Sequence, residues 1–317
     1  MNNMRHFITL NDVRTVEFRH ILELSASIKA ETQRGELVRR LSGRMLAMIF
    51  EKQSLRTRVS FETGMFQLGG GSMHLGSEIG FGKRESVKDI AEVLSSMVDA
   101  IMFRSKNHES VVELAKYSSV PVINGLTDKA HPCQALADVF TMQEVFGDLR
   151  GLKLAWVGDA NNVAASLLRA SAKLGMRFSV AAPAKFQFKT DEVKELIGED
   201  VTDGFEIELT DDPVKGVKDA NAVYTDVWVS MGQEAEEEER KKILSPYQVN
   251  SSLMKSANKS AIFLHCLPAR RGLEVTDEVM DSGQSKIVLQ AENRLHAQKG
   301  LLVWLLNEAN TKKILVT

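Results

Sequence analysis

Two cysteines in 317 residues, Cys133 and Cys266, are too few for a disulfide framework and fit a reducing compartment. No apolar run approaches the length of a membrane span, and the opening MNNMRHFITL lacks a signal-peptide core. The chain therefore reads as cytoplasmic, with no membrane partner. Net charge is also scarce: a formal value of −2 argues against a general nucleic-acid or membrane surface. Any recognition through charge has to be local. There is no internal repeat at solenoid period and no low-complexity tract. What is present is an ordinary globular composition, 44% hydrophobic and 26% charged, over a length that favours two domains of roughly 150 residues.

Short apolar runs alternate with longer amphipathic segments, the pattern of βαβ units on a parallel sheet. Strands are expected at MLAMIF (45–50), AIMF (100–103), VPVIN (120–124), KLAWVG (153–158), FSVAA (178–182), AVYTD (222–226) and AIFLH (261–265). Helices are expected at 89–98, 135–146, 163–174 and across RLHAQKGLLVWLLNEA, despite Gly300. The stretch GDLRG (147–151) marks a domain boundary, and the acidic run EAEEEER (234–240) reads as a solvated face near a helix start.

The polar residues fall where strands end. Arg104 follows AIMF, HPCQ follows VPVIN after a short loop, GDANN follows KLAWV, Asp226 ends AVYTD, and HCLP ends AIFLH. Open α/β sheets bind ligands beyond the carboxyl ends of their strands, so these side chains are expected to face ligand. A further cluster lies in FEKQSLRTRVSF (50–61), where a helix begins with Lys52, Arg56 and Arg58 in place of the usual acids. Hydroxyls and guanidinium groups at a helix N-terminus (Ser54, Arg56, Thr57, Arg58) are what a phosphate needs: oriented N–H donors, a favourable dipole and planar forks.

Two other chemistries compete. His131, Cys133, His265 and Cys266 offer imidazoles and thiols, but adjacent His265 and Cys266 are awkward zinc ligands and the spacings match no usual structural site. VGDANNVAAS has the strand, turn and helix of a dinucleotide site but lacks its three glycines, which weakens a dehydrogenase reading.

SLRTR (54–58), Arg104, HPCQ (131–134), DVWVSMG (226–232), HCLP (265–268) and AENRLH (291–296) closely resemble ornithine carbamoyltransferase, in order and at family-like spacing across nearly the whole chain. The resemblance implies an α/β fold of two doubly wound parallel-sheet domains with the active site in the interdomain cleft. Residues 1–147 would bind carbamoyl phosphate, 148–294 would bind ornithine, and 295–317 would pack back on the first domain. It assigns Ser54, Leu55, Arg56, Thr57, Arg104, His131, Gln134 and Arg294 to carbamoyl phosphate. Asn162, Asp226, Ser230, Met231, Cys266 and Leu267 go to ornithine, and Cys266, Arg104 and His131 carry the catalytic roles.

The implied reaction is carbamoyl transfer to the δ-amine of L-ornithine, giving citrulline, by a homotrimer or a multiple of trimers, with no metal or cofactor. Asp226 suits an α-ammonium group and SMG is the ornithine-type loop, expected to close over the substrate; acetylornithine and putrescine are the other acceptors considered. A non-catalytic binding protein on the same fold is the rival from another class.

Two positions depart from the family pattern. Leu55 replaces the second residue of the usual Ser-Thr-Arg-Thr-Arg and removes a hydroxyl, which predicts weaker carbamoyl phosphate binding; Arg270 stands where a close relative often has His. The glycine-rich LGSEIGFGKRES (75–86) is expected to form a loop reaching a neighbouring subunit's site.

Overall fold

The computed structural model describes residues 4–76, 79–82, 84–229 and 234–309. They form two compact units: one runs to Phe140 and resumes at Glu292, and the other is Thr141–Ala291. Both are α/β with wholly parallel sheets.

The first unit contains α1 (Thr15–Gln33), β1 (Met45–Phe50), α2 (Leu55–Gln67), β2 (Gly71–Leu75), α3 (Val87–Met97), β3 (Ala100–Arg104), α4 (His108–Tyr117) and β4 (Val122–Leu126). Helix α5 (Pro132–Phe146) carries the chain into the second unit. There follow β5 (Lys153–Val157), α6 (Asn162–Leu174), β6 (Arg177–Ala181), α7 (Thr190–Ile197), β7 (Glu206–Thr210), α8 (Pro213–Val217) and β8 (Ala222–Tyr224). Then come α9 (Glu237–Leu244), α10 (Ser251–Ser256), β9 (Ile262–Leu264) and α11 (Asp277–Met280), and α12 (Ile287–Val303) returns the chain to the first unit.

The strand order is β2-β1-β3-β4 in the first sheet and β7-β6-β5-β8-β9 in the second. Each order reverses once, between β1 and β3 and between β5 and β8. Connections leave toward opposite sides at such a point and open a crevice at the strands' carboxyl ends. The chain places SLRTR after β1, Arg104 at the end of β3, and GDANN and Asp226 after β5 and β8.

The central strands read as continuous apolar runs because both faces are covered: every residue of β3 and β5 is buried. Ala47, Ile49, Ile101 and Phe103 join Val111 and Leu114 of α4 in one core; Ala155, Val157, Val223 and Phe263 join Val249 and Leu253 in the other. Helix starts follow side-chain caps: Ser54 on α2, Ser86 on α3, Asn107 on α4 and Asn161 on α6.

Seven strands fall where their apolar runs predict. The two others, β2 (GSMHL) and β7 (EIELT), occupy sheet edges and are at most half-buried, so they lack the apolar run that identifies a covered strand. β4 also begins two residues later than VPVIN implies. Gly300 does lie within a helix, and α12 starts at Ile287, well before RLHAQ. The acidic run leads into α9 as expected. In the glycine-rich segment, residues 77, 78 and 83 lie outside the described residues, and Leu75 is the last residue of β2.

Candidate active site

In the first unit, β1 ends at Phe50 and the chain turns into α2 over four residues. Ser54 caps the helix, its hydroxyl accepting from Thr57 N at 3.4 Å and donating to Thr57 Oγ1 at 3.1 Å. The first turn has no acidic residue, so the positive end of the helix stays uncompensated by the chain's own carboxylates.

Arg104, the last residue of β3, is buried. His131 immediately precedes α5 and is buried as well. Burial first, then the guanidinium groups of Arg294, Arg104 and Arg56, hold the His131 imidazole well below its usual range. His131 is therefore neutral, with one N–H to donate, and stands amid three arginines.

Gln134, one turn into α5, accepts from Arg294 Nη1 at 2.6 Å and donates from Nε2 to Asp138 Oδ1 at 2.7 Å. Arg294 also donates to Thr57 Oγ1 at 3.3 Å, so one buried guanidinium ties α2 to α5. With its amide oxygen facing this guanidinium, Gln298 accepts from Nη2 at 3.0 Å. The structure thus brings Ser54, Arg56, Thr57, Arg104, His131, Gln134 and Arg294 together.

One correction arises here. Arg58 is not among the gathered cations: its exposed side chain pairs with Glu62 at 2.9 Å, one turn along α2. The Leu55 side chain is 75% exposed at the start of the helix.

In the second unit, Asn161 caps α6, its Oδ1 accepting from the N–H groups of Val163 and Ala164 at 2.9 and 3.2 Å. That side chain occupies the donors a pyrophosphate would need, which removes the dinucleotide reading. Asn161 Nδ2 donates to Asp226 Oδ2 at 2.8 Å; Asp226 Oδ1 accepts from Val227 N at 2.8 Å and from the Cys266 thiol at 3.1 Å. Asn162 is the half-buried first residue of α6. Asp159 pairs with the buried Arg240 at 2.8 Å, and burial still pushes its carboxyl above the usual range. Ser230 and Met231, with the rest of the SMG loop, lie outside the described residues.

The HCLP turn is held from beneath. His265 Nδ1 accepts from Leu267 N at 2.9 Å, while Nε2 lies 3.2 Å from the fully buried Glu274 carboxylate. An acceptor Nδ1 fixes the proton on Nε2, which donates to Glu274. Leu267 has φ 58° and precedes a cis peptide bond to Pro268. Asp226, His265 and Cys266 do lie close enough together for a metal ion. With both imidazole nitrogens engaged in the turn, however, His265 has no lone pair to give. Cys133, the other candidate thiol, is buried, donates to Asn124 O at 3.4 Å and is pushed up to about 12 by burial, so it is inert.

Sequence reasoning missed the supporting residues. Asp138, Gln298 and Glu274 orient side chains that the motifs identify, while Asn161, expected within GDANN to face ligand, caps α6 and holds Asp226. Asp138 was within reach, one helical turn from Gln134 in a helix start otherwise apolar.

Buried neutral imidazoles carry a consequence for stability. His131 is held well below its usual range, and His296 is pushed down to about 3 by burial and then by Lys299 and Lys29. Below pH 6.5 the unfolded chain takes up protons that these folded sites refuse, so stability must fall as pH falls. Each site contributes up to about 1.4 kcal/mol per pH unit. The urea midpoint is therefore expected to drop between pH 6.5 and 5; a flat profile would contradict neutral burial of both.

Comparison with known proteins identifies the family. Residues 5–144 match the model for the aspartate/ornithine carbamoyltransferase carbamoyl-P binding domain, and residues 150–305 match that for the Asp/Orn binding domain. An ornithine carbamoyltransferase of Anoxybacillus flavithermus is 53% identical over 303 residues, covering 95% of this chain and 96% of that one. The solved structure of ornithine carbamoyltransferase from Pyrococcus furiosus superposes with a TM-score of 0.91 at 48% identity, over 96% of this chain and 97% of that one. The anabolic ornithine carbamoyltransferase of Campylobacter jejuni gives a TM-score of 0.88 at 38% identity, over 95% and 99% of the two chains. Two parallel α/β units with an arginine-ringed helix terminus in one and an Asp226–Cys266 pair in the other, and matches spanning nearly the whole chain, place it in the aspartate/ornithine carbamoyltransferase family.

Proposed function

We propose that this protein transfers the carbamoyl group of carbamoyl phosphate to the δ-amine of L-ornithine, yielding L-citrulline and phosphate in arginine metabolism. The observation that carries the reading is the convergence of Arg56, Arg104 and Arg294 on a neutral His131, in the unit whose α2 presents its N-terminus. A compact dianion with an electrophilic carbon suits that arrangement, because the arginines balance both its charge and the charge that develops on attack. His131 donates its N–H to the carbonyl oxygen. Arg294 sits by the carbamoyl group, and Gln134, fixed by Arg294 and Asp138, keeps a remaining amide N–H and a lone pair for it.

Ornithine is held in the second unit, its α-ammonium on Asp226 with Asn162, Ser230 and Met231 completing the contacts, and Leu267 beside the chain. The δ-amine must lose a proton before attack, at a cost of roughly 4 to 5 kcal/mol at neutral pH. The Cys266 thiol donates to Asp226, so it accepts a proton only as its own passes to the carboxylate. The pair therefore takes up one proton. The amine lone pair then forms the C–N bond, the C–O bond to phosphate breaks, and the phosphate departs with that electron pair, one of its oxygens taking the second proton that the new C–N nitrogen must lose. No metal or nucleotide is needed for this sequence, since the leaving group is already activated.

A soluble cytoplasmic homotrimer, or a multiple of trimers, is the assembly we propose. Phe66 and Met97, 77% and 71% exposed, support further burial between copies. Equal yields of citrulline and phosphate from the two substrates test the reaction. No citrulline at high protein concentration would leave a binding protein on the same fold.

Leu55 tests the phosphate subsite. At the start of α2 a threonine would supply the hydroxyl that leucine lacks, and a hydrogen bond to a charged group is worth up to about 1.5 to 3 kcal/mol. We expect Leu55→Thr to lower KM for carbamoyl phosphate by roughly three- to tenfold, the backbone N–H supplying the rest, with kcat little changed. An unchanged KM would contradict a role for this position.

A further inference from the structure

The three arginines around His131 reach it by different routes. Arg104 ends a strand and Arg56 starts a helix locked to the sheet, but Arg294 comes from α12, far along the sequence. Its guanidinium meets Thr57 at 3.3 Å and Gln134 at 2.6 Å only if α12 lies at one depth and one rotation against α2. Something must fix both.

Two glycines permit the close approach. A Cβ on Gly300 would stand 2.2 Å from Ser25 Oγ and 2.9 Å from Ile21 O of α1, so α12 touches that helix backbone to backbone. A Cβ on Gly64 of α2 would meet Lys299 Cγ at 3.3 Å and Leu295 Cδ1 at 3.7 Å. Mid-helix glycine costs about 1 kcal/mol, which close packing here offsets.

Lys299 then supplies direction. It is 1% exposed, yet among the described residues its ammonium has no carboxylate hydrogen-bond partner, Glu31 acting on it only electrostatically. Nζ donates instead to Thr32 Oγ1 on α1 and to Gln67 Oε1 on α2, both at 2.8 Å. Lys29 of α1 donates at 2.8 Å to Oδ1 of Asn293, the residue immediately before Arg294. A buried ammonium satisfied by neutral oxygens is a costly way to fill space. It is an effective way to set register, because its donors are met in only one placement of the helices.

We propose that Lys299 is a positioning residue for Arg294: by bridging Thr32 and Gln67 it fixes α12 on α1 and α2 so that Arg294 reaches Thr57 and Gln134. The inference rests on the carbamoyl phosphate site described above. Burial pushes the Lys299 ammonium down to about 8, with Glu31 acting to raise it and Arg40 to lower it. His296, held neutral by burial, is a further titratable group that Lys299 acts on.

Positioning and bulk can be separated. Lys299→Met keeps the volume and removes the donors, and replacing a buried charge by an apolar isostere is often neutral or stabilising. Gln67→Leu cuts one arm from the half-buried side and leaves Lys299 in place. In both variants we expect the melting temperature to hold within a few degrees, KM for carbamoyl phosphate to rise about tenfold or more in Lys299→Met and several-fold in Gln67→Leu, and KM for ornithine to stay within twofold. Lys299→Arg, which retains donors, should recover part of the loss. Native-like carbamoyl phosphate KM in both variants, or equal rises in both substrates' KM, would overturn the proposal. If the native protein formed no citrulline, the functional reading would fail instead. Calorimetric binding of carbamoyl phosphate alone would still report on Lys299.

Discussion

Replacing Arg104 by methionine should lower kcat/KM for carbamoyl phosphate by about 10²- to 10³-fold, as loss of one preorganised charge-stabilising donor typically does. Arg104 ends β3 at the point where strand order reverses, is 7% exposed, and acts electrostatically on His131. Its backbone is pinned on both sides: its carbonyl accepts from Glu51 N at 3.0 Å, and Ser105 N donates to Leu126 O at 3.1 Å. The guanidinium can therefore be removed while the strand stays in place. Methionine fills most of the space, so stability should be nearly kept. The ornithine KM should barely change, since Arg104 and Asp226 belong to different units. Steady-state kinetics with each substrate varied checks this. A loss below threefold, or one appearing only in ornithine KM, would show that the phosphate is held elsewhere.

The second large effect is expected at Asp226→Asn. This carboxylate collects three donors, the backbone of Val227, Asn161 Nδ2 and the Cys266 thiol, and is the group we propose for the α-ammonium of ornithine. An amide keeps one oxygen and turns an NH₂ toward either Asn161 Nδ2 or Cys266, setting donor against donor. It also removes the carboxylate that accepts the Cys266 thiol hydrogen bond, the proposed proton route. A buried hydrogen bond to charge is worth about 1.5 to 3 kcal/mol, so losing the ionic contact and the proton route together should cost roughly 10²- to 10³-fold in kcat/KM for ornithine. Calorimetric binding of carbamoyl phosphate should be unaffected. Equal weakening of carbamoyl phosphate binding would indicate a general collapse, and unaltered ornithine kinetics would remove Asp226 from the site.

The legibility of this molecule in its sequence tracked burial. MLAMIF and KLAWV announced themselves because a strand covered on both faces must be apolar throughout. GSMHL and EIELT did not, because an edge strand tolerates glycine, serine and glutamate. Among polar residues, those assigned to ligand stood out by falling at strand ends, as Arg104 and Asp226 do. The ones that hold them in place were silent. Glu274 is nine residues from the His265 it orients, and Lys299 meets Thr32 across 267 positions. No local pattern records such pairings, since they exist only once helices pack. Charge was also misleading on its own: Arg56 and Arg58 look alike in SLRTR, but two residues along a helix separate their faces by more than half a turn, and Glu62 engages Arg58.

The central claim, carbamoyl transfer to ornithine, is tested most directly by offering carbamoyl phosphate with ornithine, acetylornithine, putrescine and aspartate in parallel and measuring the carbamoylated product of each. Citrulline should form with a kcat/KM at least about 10²-fold above that of any other acceptor, the scale of discrimination expected when a site built to pair the α-ammonium group meets acetylornithine or putrescine, which lack it, or aspartate, whose sole amine would have to be the nucleophile. A faster reaction with acetylornithine, putrescine or aspartate, or no product from any of the four, would contradict it.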